Sequence, residues 1–116
     1  MAKISSPLAL LFIILFSITI NHFHVVSSKT WCIATLTATN EQLQANINFG
    51  CSQGVDCTPI RPGGSCFIPN TLVNHASFVM NSYYQSHGRT NQACSFNNTG
   101  TFAATDPSFG KCVYAS

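Results

Sequence analysis

All six cysteines of this 116-residue chain lie after residue 28, at Cys32, Cys51, Cys57, Cys66, Cys94 and Cys112. An even set in a stretch this short is the pattern of small secreted domains, which add disulfides because a small core rarely offsets the entropy of ordering the chain. Three bridges are therefore expected, and spacing alone does not decide which thiols pair. Cys51 and Cys57 at least flank Ser-Gln-Gly-Val-Asp, a turn tight enough for a local bridge. The scarcity of other glue points the same way. Ile, Leu, Val, Met and Phe make up 15 of the first 28 residues but only 18 of those that follow.

The apolar excess at the start has its own explanation. Lys3 supplies a positive n-region, Leu8 to Ile20 is a 13-residue run without charge, and Val26-Ser27-Ser28 offers small residues for a signal peptidase. Residues 1–28 read as a secretory signal, with cleavage within about two residues of Ser28, leaving a single domain over 29–116. A membrane span would need roughly 20 apolar residues, and Asn21, His22 and His24 interrupt too early. With Ser116 only four residues beyond Cys112, a lipid anchor with its spacer and hydrophobic tail is not expected. The expected product is a soluble extracellular monomer without a membrane anchor.

Charge narrows the partners. Lys29, Arg61, Arg89 and Lys111 face Glu41, Asp56 and Asp106, so no basic stripe exists for phosphates and nucleic acid is not an expected partner. Asn, Gln, Ser and Thr supply 32 residues after the leader against those seven charged ones. Such a surface suits a neutral, hydroxyl-rich ligand, or is simply an uncharged secreted surface.

Thr39 and Gln42 have capping-box spacing with Glu41 in the first turn, which starts a helix near Asn40. Leu43, Ile47 and Cys51 share one face of it, and it should last about three turns. Five Pro and Gly residues from Cys57 through Pro69 rule out a regular helix there and leave a loop with at most a short strand around Phe67. A second helix starts at Asn70 or Thr71 and stops before Gly88. Leu72, Ala76, Val79 and Tyr83 form its buried stripe. Beyond Cys94, Ser95-Phe96-Asn97 and Gly100 to Ala104 read as short strands, with Lys111 to Tyr114 pairing last. The fold class is a small disulfide-rich α+β domain.

Catalytic groups are hard to assemble. Glycoside hydrolysis usually needs two carboxyls across the bond, one with a raised pKa. Glu41 is a helix-start charge, Asp56 lies in the closed turn between cysteines, and Asp106 precedes Pro107 as turn chemistry. His75 and His87 are the only histidines after the leader, so no zinc site or cysteine nucleophile is expected and no cofactor is implied. Asn97-Asn98-Thr99 is an N-glycosylation sequon.

The second helix carries the candidate binding residues. At about 100° per residue, Asn74, Phe78, Asn81 and Gln85 cluster opposite the apolar stripe, one ring among three amides. A pyranose ring can lie on an aromatic face while amides donate to and accept from its hydroxyls. Tyr84 is a second candidate ring, with Tyr83 assigned to the core. The competing reading has Phe78 covered by the Pro/Gly-rich loop or the C-terminal segment.

Trp31-Cys32, Glu41 to Asn46, Gln53-Gly54-Val55-Asp56-Cys57, Pro62-Gly63-Gly64-Ser65-Cys66, Phe67 to Thr71, His75-Ala76-Ser77-Phe78, Asn81-Ser82-Tyr83-Tyr84-Gln85 and Cys112-Val113-Tyr114 together resemble carbohydrate-binding module family 43. This plant domain ends certain β-1,3-glucanases and occurs in plasmodesmal callose-binding proteins and in small secreted proteins. The resemblance covers residues 30 to 115. It implies two helices with a small antiparallel sheet and long coils, and bridges from Cys32 to Cys94, Cys51 to Cys57 and Cys66 to Cys112. It also implies binding of β-1,3-glucan (callose) without cleavage, in the cell wall or apoplast. Two departures stand out: Gly50, often alanine in the family, should soften the end of the first helix, and Phe78 stands where tyrosine is common. The alternative is a secreted protein-interaction or defence protein that uses the scaffold without glucan affinity.

Overall fold

The structure is a computed structural model that describes residues 28–116. The leader expected over residues 1–28 therefore lies, but for Ser28, outside the described residues. Strand β1 (Trp31–Ala34) opens the domain, followed by helix α1 (Asn40–Ser52), a 3-10 turn at Thr58–Ile60, helix α2 (Leu72–Ser86), 3-10 turns at Gln92–Cys94 and Phe96–Asn98, and strand β2 (Gly100–Ala103). The strands pair antiparallel, Trp31 with Ala103 through Ala34 with Gly100.

Both helices start where the capping chemistry puts them. The Thr39 hydroxyl accepts from the Gln42 amide while Gln42 accepts in return from the Thr39 backbone N–H, closing a capping box. Thr71 caps α2 by accepting from the Asn74 N–H. The chain leaves α2 through Gly88, whose φ of 84° lies in the left-handed region that only glycine enters without strain.

α2 is the centre of the domain. Ala76, Val79 and Met80 are fully buried, and α1 brings Leu43 and Ile47 against them. Where the helices meet, a Cβ on Gly50 would collide with Cγ1 of Val79. The glycine expected to soften α1 is what lets the two helices approach, so its backbone entropy cost is offset by packing.

β1 was not legible in the sequence. A two-stranded sheet leaves one edge of β1 without a strand partner, and buried backbone N–H groups need acceptors. α2 supplies them: Ser77 Oγ accepts from the Ala34 N–H at 3.0 Å and Asn81 Oδ1 from the Cys32 N–H at 3.1 Å. With helix on one edge and β2 on the other, Trp31, Cys32 and Ala34 are all buried, and the period-two alternation that signals a strand is missing.

Other expected strands are corrected. Ser95-Phe96-Asn97 enters a 3-10 turn instead of a strand, because Phe96, Asn97 and Asn98 have φ of 43°, 53° and 66° and cannot extend. Lys111 to Tyr114 forms only an isolated bridge between Phe109 and Cys112, and no strand forms around Phe67. Gly100 to Ala103 is the strand of this region that persists.

Three disulfides fasten the coils to this frame. Cys32–Cys94 joins β1 to the turn after α2, Cys51–Cys57 closes the end of α1, and Cys66–Cys112 ties the Pro/Gly-rich loop to the C-terminal segment. That last bridge, with a 2.8 Å bond from Asn81 Nδ2 to the Ala115 carbonyl and a 2.9 Å bond from the Tyr114 N–H to Ser108 Oγ, presses Tyr114 onto the core.

Burial pushes the Tyr114 phenol from 10.0 up to about 12. The unfolded chain ionises this group first, so the stabilisation from keeping it neutral is complete below about pH 10 and is lost as the pH rises toward about 12. Thermal melts across that window should show a falling Tm that flattens in Tyr114→Phe. An unchanged alkaline slope in the variant would assign the loss to another group.

Candidate functional site

The five expected binding residues of α2 do not form an open platform. Phe78 is 8 % exposed and meets the Tyr114 ring edge-on at 5.5 Å, which is the covering by the C-terminal segment weighed above. Asn81 is completely buried: Oδ1 holds the Cys32 N–H and Nδ2 holds the Ala115 carbonyl. Gln85 Nε2 donates to the Thr30 carbonyl at 2.8 Å and to Asn81 Oδ1 at 3.2 Å. Tyr84 is buried, its hydroxyl 2.8 Å from Thr30 Oγ1 and its ring beside Phe102. Asn74 is half-buried, with its amide on the Thr71 hydroxyl.

The expectation that this face meets solvent is thus corrected. The polar stripe at positions 77, 81 and 85 is a docking edge for the β1 segment, and periodicity cannot distinguish amides that meet a ligand from amides that meet backbone. Of the five, Asn74 lines an open depression, a groove of about 600 Å³ with Leu36, Val73, Phe109 and Tyr114. Two of its polar side chains are already committed, Asn74 to Thr71 and Ser77 to Ala34.

A different groove, of about 470 Å³, lies between α1, α2 and the 3-10 turns. Three rings form its wall: Phe49 of α1, Tyr83 of α2 and Phe96. They meet edge-on, with centroids 5.2 Å apart for Phe49 and Tyr83, 5.7 Å for Tyr83 and Phe96, and 6.2 Å for Phe49 and Phe96. Edge-to-face packing is a favoured aromatic arrangement. Phe49 keeps 43 % of its surface exposed. His87 stacks on Tyr83 at 3.8 Å, its Nδ1 bonded to the Tyr83 carbonyl, and fixes that ring from the side.

Polar groups complete this groove. Asn46 Nδ2 donates to Thr99 Oγ1 at 2.8 Å and, on the buried floor, ties α1 to the turn that presents Phe96. Among the described residues the side chains of Gln92 and Asn97 and the Tyr83 hydroxyl make no hydrogen bond, so the amides and phenol lining the groove are open to a ligand. Phe96 holds its place with a φ of 43°, a costly conformation for a bulky residue, and such outliers concentrate at functional sites.

Tyr83, expected in the core, does pack against it while also lining the groove, and Phe49 and Phe96 join it there with no site role expected from the sequence. One signal was present. Phe49 stands two residues after Ile47, about 200° around α1, so a large ring sat off the apolar stripe.

Two of the three carboxyls are committed to turns. Asp56 accepts from the Thr58 hydroxyl and N–H, and Asp106 likewise from Ser108, which holds both carboxyls below their usual range. Both are ionised turn caps on the surface, the opposite of a general acid. Among the described residues every cysteine is bridged and no cluster of three or more His, Cys, Asp or Glu could hold a metal ion.

The profile of the X8 domain matches residues 30–101. The chain belongs to the X8 domain family. This is carbohydrate-binding module family 43, whose likeness runs through the cysteine framework and the α2 motif. The X8 chain is 50 % identical over 90 residues to the major pollen allergen Ole e 10 of Olea europaea, an alignment covering 77 % of this chain and 73 % of that protein. It is 49 % identical over 90 residues to a glucan endo-1,3-beta-D-glucosidase of the same plant, covering 78 % of this chain but 20 % of the enzyme. Plasmodesmata callose-binding protein 5 of Arabidopsis thaliana is 41 % identical over 93 residues, 79 % of this chain and 52 % of that protein. The chain thus spans about a fifth of the glucosidase relative's length and about half of the callose-binding one's. X8 is a carbohydrate-binding domain and not a catalytic one.

Proposed function

We propose that this chain is a secreted, monomeric module that binds β-1,3-glucan (callose) in the cell wall or apoplast without cleaving it, and that the glucan lies in the Phe49–Tyr83–Phe96 groove. The observation that carries the reading is the groove itself: exposed aromatic surface beside uncommitted amides. A glucose ring offers a C–H face for stacking and hydroxyls for Gln92, Asn97 and the Tyr83 phenol. The relatives named for callose binding and for 1,3-glucan cleavage support the choice of polymer. Among the described residues no helix is long and apolar enough to cross a membrane.

The purified, oxidised protein, free of attached sugar, is expected to sediment with insoluble β-1,3-glucan, to stay in solution with cellulose, and to release no reducing ends. Equal partitioning on both polymers would remove the glucan reading and favour a protein partner for the scaffold. Within the groove, Phe49→Ala should weaken binding by about 1–2 kcal/mol, the size of a modest interface hot spot.

A further inference from the structure

The sequon Asn97-Asn98-Thr99 lies on the groove just described. Asn97 is exposed, lines the opening beside Phe96, and its amide makes no hydrogen bond among the described residues. We propose that Asn97 carries an N-linked glycan whose first sugars seat on the rings of its own groove, so that the glycosylated chain is a self-occluded form of the glucan binder. The glucan part of this statement rests on the function proposed above.

The geometry keeps the attachment point beside the groove. With φ values of 43°, 53° and 66° at Phe96, Asn97 and Asn98, the turn is held in the left-handed region, and Thr99 anchors its end through Asn46 and the Phe96 carbonyl. The attachment point therefore cannot swing far from Phe96 and Phe49. An N-acetylhexosamine attached there offers the same C–H face to these rings as a glucose unit would, at the high effective concentration of a tethered ligand.

Transfer itself precedes folding. The hydroxyl that completes the sequon belongs to Thr99, which is 5 % exposed and bonded inside the folded domain. On the unfolded chain the Asn97 amide nitrogen attacks C1 of a lipid-diphosphate-linked oligosaccharide. A C–N bond forms, the C–O bond to phosphate breaks, the lipid diphosphate leaves with the electron pair, and the amide proton passes to a base of the transferase.

The test uses the full chain secreted from plant cell culture beside the same chain produced without glycosylation and folded oxidatively, with Asn97 intact. Peptide mass should show Asn97 occupied, and proton NMR should show Overhauser contacts from sugar protons to the Phe49, Tyr83 or Phe96 rings. A soluble β-1,3-gluco-oligosaccharide should bind the unglycosylated chain at least about tenfold more tightly than the glycosylated one. A bare Asn97, a glycan without ring contacts, or equal oligosaccharide affinity in the two forms that bind it would overturn the proposal. If ring contacts are seen while neither form binds the oligosaccharide, the glycan's seat stands and the glucan reading falls.

Discussion

Replacing Phe78 by alanine is expected to lower the stability of the domain by about 3–5 kcal/mol. The ring is 8 % exposed and sits under Tyr114, so truncation leaves a cavity between α2 and a C-terminal segment held by one disulfide and a few hydrogen bonds. Small domains have roughly 5–15 kcal/mol in total. Urea denaturation of the oxidised variant should therefore show a midpoint far below that of the parent, with loss of glucan retention only where unfolding begins. A transition within about 1 kcal/mol of the parent would mean that Phe78 is exposed in solution, and would return α2 to the role of a stacking platform.

Reduction is expected to have the largest effect. The bridges span separations of 62, 6 and 46 residues. Loop-closure entropy assigns about 4 kcal/mol to each long bridge and about 2 kcal/mol to the short one, close to the whole stability of a small domain. Few other terms can replace them. The sheet has two four-residue strands, and the Pro/Gly-rich loop and C-terminal segment reach the core through Cys66–Cys112. Reductant at ambient temperature should abolish the native circular dichroism and the melting transition together. A reduced chain that kept both would show that the α1–α2 core stands alone.

These two expectations separate what the residues disclosed from what they did not. Both helices were readable because their signals are local: a capping box at Thr39 and Gln42, a cap at Thr71, a left-handed stop at Gly88. β1 was hidden because its partners are helix side chains 43 and 49 residues away, which no window of periodicity contains. The burial of the candidate site residues was hidden for the same reason. Asn81 and Gln85 have the amide composition of a sugar site, yet Asn81 is held by the Cys32 N–H and the Ala115 carbonyl, and Gln85 Nε2 by the Thr30 carbonyl. The Phe49–Tyr83–Phe96 wall draws one ring from each of three segments, so only the folded chain assembles it.

Calorimetric titration of the oxidised, glycan-free protein and of Phe49→Ala with a soluble β-1,3-gluco-oligosaccharide tests the central claim most directly. Phe49 is 43 % exposed, so the variant should melt within a few degrees of the parent while binding roughly tenfold more weakly, a loss of about 1.4 kcal/mol. Heat of binding from the parent and a clear loss in a folded Phe49→Ala is the predicted result; equal affinity in the two proteins, or no binding by the parent, would contradict it.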